Sequence, residues 1–186
     1  PIGSRGLGDV YKRQVHTPFD ASGRFDPGVV PDYAGHLLSA GITAVYVCGS
    51  TGESLALTTA ERRSVLETWA ETAAGSIRII AHVGSNALPE SEELARHAHE
   101  VGVDAISAMN PTFGRARDVE GLVDHHARIA AAGEGRPYLV YEIAAFGGVS
   151  FPATEVIESA IPRSPGFAGL KFTSSDPIQL QLAVAL

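Results

Sequence analysis

The sequence alternates apolar, strand-like runs with helix-like segments at a regular spacing from Asp26 to its end. The apolar runs are continuous, which is typical of parallel strands that are covered on both faces. After a first strand starting at Val15, strands are predicted at residues 44–49, 77–83, 105–109, 137–143 and 168–172. Helices are predicted to start at Asp26 and Thr58 and to cover residues 89–101, 118–132, 152–161 and 176–186. This order predicts repeated βα units.

Two architectures are built from such repeats, the open doubly wound sheet and the closed (β/α)8 barrel. The units are similar in length and no Gly-x-Gly-x-x-Gly motif follows the first strand, so we favour the barrel. Six βα units are counted from Val15, whereas a closed barrel has eight in about 250 residues. The sequence therefore predicts an α/β fold of the TIM-barrel type that stops after about six units.

Residues 1–14 (PIGSRGLGDVYKRQ) have neither a strand nor a helix period. We expect them to be an extraneous or disordered leader and residues 15–186 to form the partial barrel. A barrel without its last two strands has open edges and uncovered apolar faces, so residues 1–186 alone are expected to be partly folded or aggregated, and inactive.

The composition excludes several classes of function. A net charge of −7 and a pI near 5.4 disfavour nucleic acid and anionic membranes as partners. No apolar run approaches the ~18 residues of a membrane span. The single cysteine, Cys48, excludes an internal disulfide, fits a reducing compartment and is predicted to be a small buried hydrophobe. We expect a cytoplasmic protein.

Lys171 is the candidate for chemistry. It lies inside an apolar strand, and the only other lysine is Lys12, since every other basic position is arginine. Only lysine can supply a nucleophilic amine, because arginine does not deprotonate in proteins. Burial lowers the pKa of an amine, and a neutral amine is what Schiff-base chemistry requires. The alternative is a strand-end lysine whose ammonium reaches water.

Further candidates follow from the expected barrel, in which active sites lie at the carboxyl ends of the strands. Gly169, Lys171 and Thr173 share one strand face by the period of two. Tyr141 has a late position on the preceding strand, where its phenol could transfer a proton. The turn Gly49-Ser-Thr-Gly-Glu-Ser54 offers backbone N–H groups and the Ser50 and Thr51 hydroxyls to an anion.

On these residues the chain resembles the dihydrodipicolinate synthase and N-acetylneuraminate lyase family of class I, Schiff-base-forming pyruvate aldolases. The matching segments are Thr17-Pro-Phe-Asp20, Gly49-Ser-Thr-Gly-Glu53, Ala81-His-Val-Gly84, Tyr141 and Gly169-Leu-Lys171. The resemblance covers about two-thirds of a family barrel. It implies an imine between Lys171 and C2 of pyruvate, and a proton shuttle at Tyr141. It also implies a substrate site made by Ser50, Thr51, Gly52, Gly169 and Thr173, and a homotetrameric parent protein.

The family's branches are distinguished by a few positions. Synthases carry a tyrosine where this chain has Phe113 and an arginine where it has Phe146, which disfavours dihydrodipicolinate synthesis. The lyase branch fits better, although the lyases have a proline at the position of Ala144. Glu142 beside Tyr141 is interpreted as a solvated rim carboxylate, with contact to a polar substrate as the alternative. Another sugar-acid aldolase, or a relative that binds a keto acid without turnover, stays open.

No metal or cofactor is expected. His97 and His99, and His125 and His126, are spaced so that neither pair shares a helical face, and we interpret them as exposed helix residues. His82 is predicted to be a core histidine. Imine chemistry needs no cofactor, since the protonated imine accepts the electrons.

Overall fold

A computed structural model describes residues 13–143 and 151–186 of the chain. The structure divides into two units, the first running to His82 and including Glu100–Asp104, and the second comprising Val83–His99 and Ala105–Leu186. Ala144 and Phe146 lie outside the described residues, as does most of the expected leader.

In the described part of the first unit there are two parallel strands, two α-helices and a short 3-10 turn. Strand β1 (Ala44–Val47) pairs with β2 (Arg78–His82) in a register that runs from Ala44 opposite Arg78 to Val47 opposite Ala81. A 3-10 turn (Pro27–Val29) leads into α1 (Val30–Ser39), and α2 (Thr59–Ala73) follows β1. Both predicted starts are confirmed, because Asp26 accepts a hydrogen bond from the Gly28 N–H and Thr58 forms a capping box with Glu61.

The expected first strand is reduced to a single parallel bridge between Gln14 and Tyr46. The Val15 N–H donates to the Tyr46 carbonyl, and the Tyr46 N–H donates to the Arg13 carbonyl. Arg13 and Gln14, which the sequence predicted to be part of the leader, therefore pair with β1 through backbone hydrogen bonds. The domain boundary at residue 14 stays a prediction.

The second unit repeats the βα pattern. Its elements in chain order are α3 (Leu88–Val101, apart from its last two residues), β3 (Ala105–Met109), α4 (Val119–Ala132), β4 (Tyr138–Glu142), α5 (Ala153–Ala160), β5 (Phe167–Phe172) and α6 (Pro177–Val184). Strand β4 is central, because it pairs in parallel with β3 on one side and with β5 on the other. The expected strands and helices are thus present to within about two residues at most ends.

The register of β4 and β5 contains one irregularity. Tyr138 lies opposite Phe167, whereas the next residue, Leu139, lies opposite Gly169. Ala168 is thus an extra residue in β5, which is the definition of a β-bulge. From the bulge onward the pairing is regular and places Lys171 opposite Tyr141.

The helix-facing side of the second unit is a packed apolar cluster. It joins α4 and α5 to β5 through Val119, Leu122, Val123, Val156 and Ala160, with Phe167 and Leu170 packed against it. Helix α6 is different, since none of its residues is buried and Ile178 and Val184 are 65% and 77% exposed. Its amino end is nevertheless capped by Asp176.

None of the four paired histidines is exposed, contrary to the sequence interpretation, and His99 and His125 are half-buried. His97 and His126 are buried, at 4% and 1% exposure, rather than exposed. His126 Nε2 donates to Asn110 Oδ1 at 2.9 Å, and Nδ1 accepts from the Tyr138 hydroxyl at 2.6 Å. Because burial lowers the pKa of His126 to about 3, the ring is neutral and serves as a core hydrogen-bonding group. His82 is buried as expected.

Cys48 is buried, as predicted, and burial raises the pKa of its thiol to about 11. No helix among residues 13–143 and 151–186 is long and apolar enough to cross a membrane.

Candidate functional site

Lys171 and Tyr141 form the centre of the candidate site in the second unit. They are directly opposite each other on β5 and β4, so their side chains leave the sheet on the same face. Lys171 Nζ lies 3.2 Å from the centroid of the Tyr141 ring. Both residues are buried, with 6% of Lys171 and 1% of Tyr141 exposed, so the alternative of a lysine that reaches water is wrong.

The environment of Lys171 favours the neutral amine. Burial lowers the pKa of Lys171 to about 7, from an ordinary value of 10.5. The face of the Tyr141 ring attracts a cation and opposes this shift, but a single aromatic face contributes only about 0.5–2 kcal/mol. At neutral pH a large fraction of the side chain is therefore an unprotonated amine, which can attack a carbonyl carbon.

Thr173 and Glu142 lie at the carboxyl end of the same pair of strands. The Thr173 hydroxyl donates a hydrogen bond to the Glu142 carbonyl at 2.7 Å, which fixes the chain after β5 to the end of β4. Glu142 is only 7% exposed, so its interpretation as a solvated rim carboxylate is wrong. As the neighbour of Tyr141 on a strand, it points to the opposite face from Lys171.

The Ser50–Thr51 turn of the first unit was expected to bind an anion, and its donors do converge on an oxygen atom. That oxygen is Gln14 Oε1, which lies 3.4 Å from both Ser50 Oγ and the Thr51 backbone nitrogen. Gly49 makes room for it, because a Cβ there would collide with Gln14 Oε1 and would lie 2.8 Å from the Tyr46 ring. A carboxamide oxygen of the chain thus occupies the position that the sequence predicted for a carboxylate oxygen.

Gly52 and Thr17 hold this turn in place. The Thr17 hydroxyl donates to the Gly52 carbonyl at 2.8 Å, and a Cβ on Gly52 would lie 3.1 Å from the Val15 carbonyl oxygen. The close approach of the Val15 carbonyl leaves little room for a side chain at position 52, so packing explains the glycine there. Its expected contact with substrate stays a prediction.

Sequence reasoning missed one polar anchor beside the carboxyl end of β3. Asn86 Oδ1 accepts from the Thr112 N–H at 2.8 Å, the Thr112 hydroxyl at 3.0 Å and the Phe113 N–H at 2.9 Å. Phe113 itself is 84% exposed. An asparagine in a loop whose partners are 26 and 27 residues away gives no local signal in the sequence.

The chain thus places a buried amine against a phenol ring at the carboxyl ends of parallel strands, where enzymes of the barrel type hold their active sites. Residues 11–184 match the model of the dihydrodipicolinate synthetase family. The chain belongs to this family.

Similar proteins and solved structures agree with this assignment. The chain is 34% identical over 162 residues to an N-acetylneuraminate lyase of Rattus norvegicus, covering 86% of this chain and 51% of the relative. The structure of Proteus mirabilis N-acetylneuraminate lyase matches with a TM-score of 0.91 and 31% identity, over 94% of this chain and 59% of that one. The structure of a 4-hydroxy-tetrahydrodipicolinate synthase from Methylacidiphilum fumariolicum matches with a TM-score of 0.84 and 27% identity, over 92% of this chain and 57% of that one.

The predicted fold class is thereby confirmed: the chain has the fold of part of a TIM barrel. It spans about half the length of the curated relatives it matches.

Proposed function

We propose that the protein, in a form as long as its relatives, is a pyruvate-dependent class I aldolase most like N-acetylneuraminate lyase. The observation that carries the proposal is Lys171, a buried amine with a pKa of about 7 that lies against Tyr141. A structural lysine gains nothing from such a position, because burying an ammonium group costs several kcal/mol.

The reaction follows from the chemistry of this amine. The neutral Lys171 attacks C2 of an open-chain 2-keto sugar acid, and uptake of one proton with loss of water gives a protonated imine. Cleavage of the C3–C4 bond sends its electron pair into the imine, which becomes an enamine, while the C4 hydroxyl loses its proton and becomes the aldehyde. Protonation of C3 and hydrolysis of the imine then release pyruvate and regenerate Lys171. The aldehyde would be N-acetylmannosamine if the substrate is sialic acid.

Tyr141 and the Ser50–Thr51 turn have supporting roles in this proposal. Tyr141, as the phenolate, would receive the hydroxyl proton during cleavage, and the resulting phenol would return it during synthesis. The Ser50 and Thr51 donors would hold the carboxylate of the keto acid, displacing Gln14 Oε1. The support for the second role is the approach of Gln14 Oε1 to both donors at 3.4 Å.

The test is trapping of the imine. Sodium borohydride with pyruvate should reduce the imine to a stable adduct, and peptide mapping should place it on Lys171. Lys171→Met is the matched control, because it keeps the length of the side chain in a buried position but cannot form an imine. Trapping that is absent, or that maps elsewhere, contradicts the assignment.

A synthase activity is the second candidate, because the family model and several matching structures carry synthase names. Phe113 disfavours it, since a phenyl ring cannot relay a proton. Pyruvate release from N-acetylneuraminate supports the lyase, whereas condensation of pyruvate with aspartate semialdehyde would support the synthase. Imine formation with no turnover of either would indicate a keto-acid-binding relative.

The proposal includes a homotetramer and a cytoplasmic location, both of which rest on the resemblance to the family. The mass of the purified protein by light scattering tests the first, and cell fractionation tests the second.

A further inference from the structure

The bulge in β5 determines which face of the strand carries Lys171. With Ala168 as an extra residue, Leu139 lies opposite Gly169 and Tyr141 lies opposite Lys171. Without it, continuous pairing from Tyr138 and Phe167 would place Leu170 opposite Tyr141 and Lys171 opposite Glu142. Because side chains alternate along a strand, a shift of one residue moves every following side chain to the other face.

The two faces of the second unit are chemically different. Leu170 now packs on the apolar cluster that α4 and α5 form with β5, while Lys171 meets Tyr141 on the other face. In the continuous register these two residues would exchange places. The amine would then point at the apolar cluster, and the Tyr141 ring would face leucine.

Gly169 is the residue that permits the bulge. Its φ is +134°, in a region that residues with a side chain rarely adopt. A Cβ on Gly169 would meet no atom within 4 Å, so the requirement for glycine comes from the backbone and not from crowding. Bulges in parallel strands are rare, and bulges near active sites commonly change the direction of a side chain.

We propose that Gly169 is a positioning residue, whose left-handed backbone in the β5 bulge turns Lys171 toward Tyr141 and away from the helix-facing cluster. This inference rests on the proposed function, because the consequence of the turn is imine formation. It also gives Gly169, which the sequence placed among the substrate-binding residues, a role through the backbone.

The experiment compares three variants of the full-length protein by borohydride trapping with pyruvate, normalised to the folded fraction from circular dichroism. Gly169→Ala should reduce trapping at Lys171 at least about tenfold, because alanine resists the required φ. Gly135→Ala is the matched control, since Gly135 also has a positive φ of +82° and open space around its Cα but lies before β4. The Gly135→Ala variant should form the Lys171 adduct at the wild-type rate.

The third variant adds deletion of Ala168 to Gly169→Ala. The deletion removes the extra residue, so the strand can pair without a bulge and still place Lys171 opposite Tyr141. Ala168 is exposed, so little packing is lost. We expect the double variant to recover most of the wild-type trapping, which a variant that had merely lost stability or a substrate contact would not do.

The outcomes separate the two proposals. If the wild-type protein forms no adduct, the proposed function fails. If the wild-type protein is trapped and Gly169→Ala is trapped equally well, the positioning role is wrong. If Gly169→Ala does not fold, the double variant decides: trapping supports the role, and a double variant that is untrapped or unfolded contradicts it.

Discussion

Replacing Lys171 by methionine should stabilise the folded protein at low pH while abolishing imine formation. Methionine has a similar length and adds no charge to a position that is 6% exposed. In the wild type, the pKa of Lys171 falls from 10.5 to about 7 because burial disfavours the ammonium. This change in pKa corresponds to a destabilisation of at most about 5 kcal/mol at a pH where Lys171 is protonated in the folded protein.

We expect the gain in folding stability from Lys171→Met to be smaller than this upper limit and to decrease as the pH rises. The Tyr141 ring stabilises the ammonium, and local relaxation lets water approach it, so we expect about 2–3 kcal/mol at pH 6. Between pH 7 and 10.5 the unfolded chain binds a proton at Lys171 that the folded chain does not bind. The stability of the wild type therefore rises with pH across this window, and the advantage of Lys171→Met should disappear near pH 10.5.

Urea unfolding of both proteins at pH 6, 8 and 10 measures this difference. Lys171→Arg is the control, because its charge persists at every pH and its destabilisation should not diminish as pH rises. A methionine variant that is no more stable than the wild type at pH 6 would refute the reasoning, as would a gain of the same size at pH 6 and pH 10.

Three further predictions concern the remaining parts of the site and the chain itself. Gln14→Ala should lower the apparent Kd for pyruvate by about three- to tenfold in calorimetry, because it removes an oxygen that competes for Ser50 and Thr51, whereas the exposed His16→Ala should leave it unchanged. Tyr141→Phe should keep the ring below Lys171 and still allow borohydride trapping, but should reduce turnover on the order of 10²–10⁴-fold; unchanged turnover would remove Tyr141 from proton transfer. Residues 1–186 alone should unfold without a sharp transition and form no imine, because α6 exposes apolar side chains; a cooperative transition with trapping would show this wrong.

The regular features of the fold could be predicted because they depend on local patterns. Thr58 and Glu61 have the spacing of a capping box, and the structure contains one. Lys171 and Tyr141 could be proposed as a pair because both lie late on neighbouring apolar strands. The buried position of His126 also had a signal in the sequence, since His126 continues the apolar spacing of Leu122, Val123 and Ile129.

Features that depend on distant contacts could not be predicted in the same way. The bulge at Ala168 arises from the pairing of β5 with β4, and a single strand carries no sign of an extra residue beyond a glycine. Gln14 reaches the Ser50–Thr51 turn from a segment with no periodicity. Glu142 was assigned to the rim because carboxylates are seldom buried, and its 7% exposure shows a tertiary arrangement that overrides this preference.

The pH dependence of imine trapping tests the central claim most directly. Pyruvate and borohydride are added to the full-length protein across a range of pH, and the initial rate of adduct formation is followed at Lys171 by mass spectrometry, with Lys12 as an internal comparison in the same sample. We predict an adduct confined to Lys171 whose rate rises with a midpoint near pH 7, because the buried amine loses its proton there. A midpoint near pH 10, or equal labelling of Lys12, would contradict the claim that burial makes Lys171 the nucleophile.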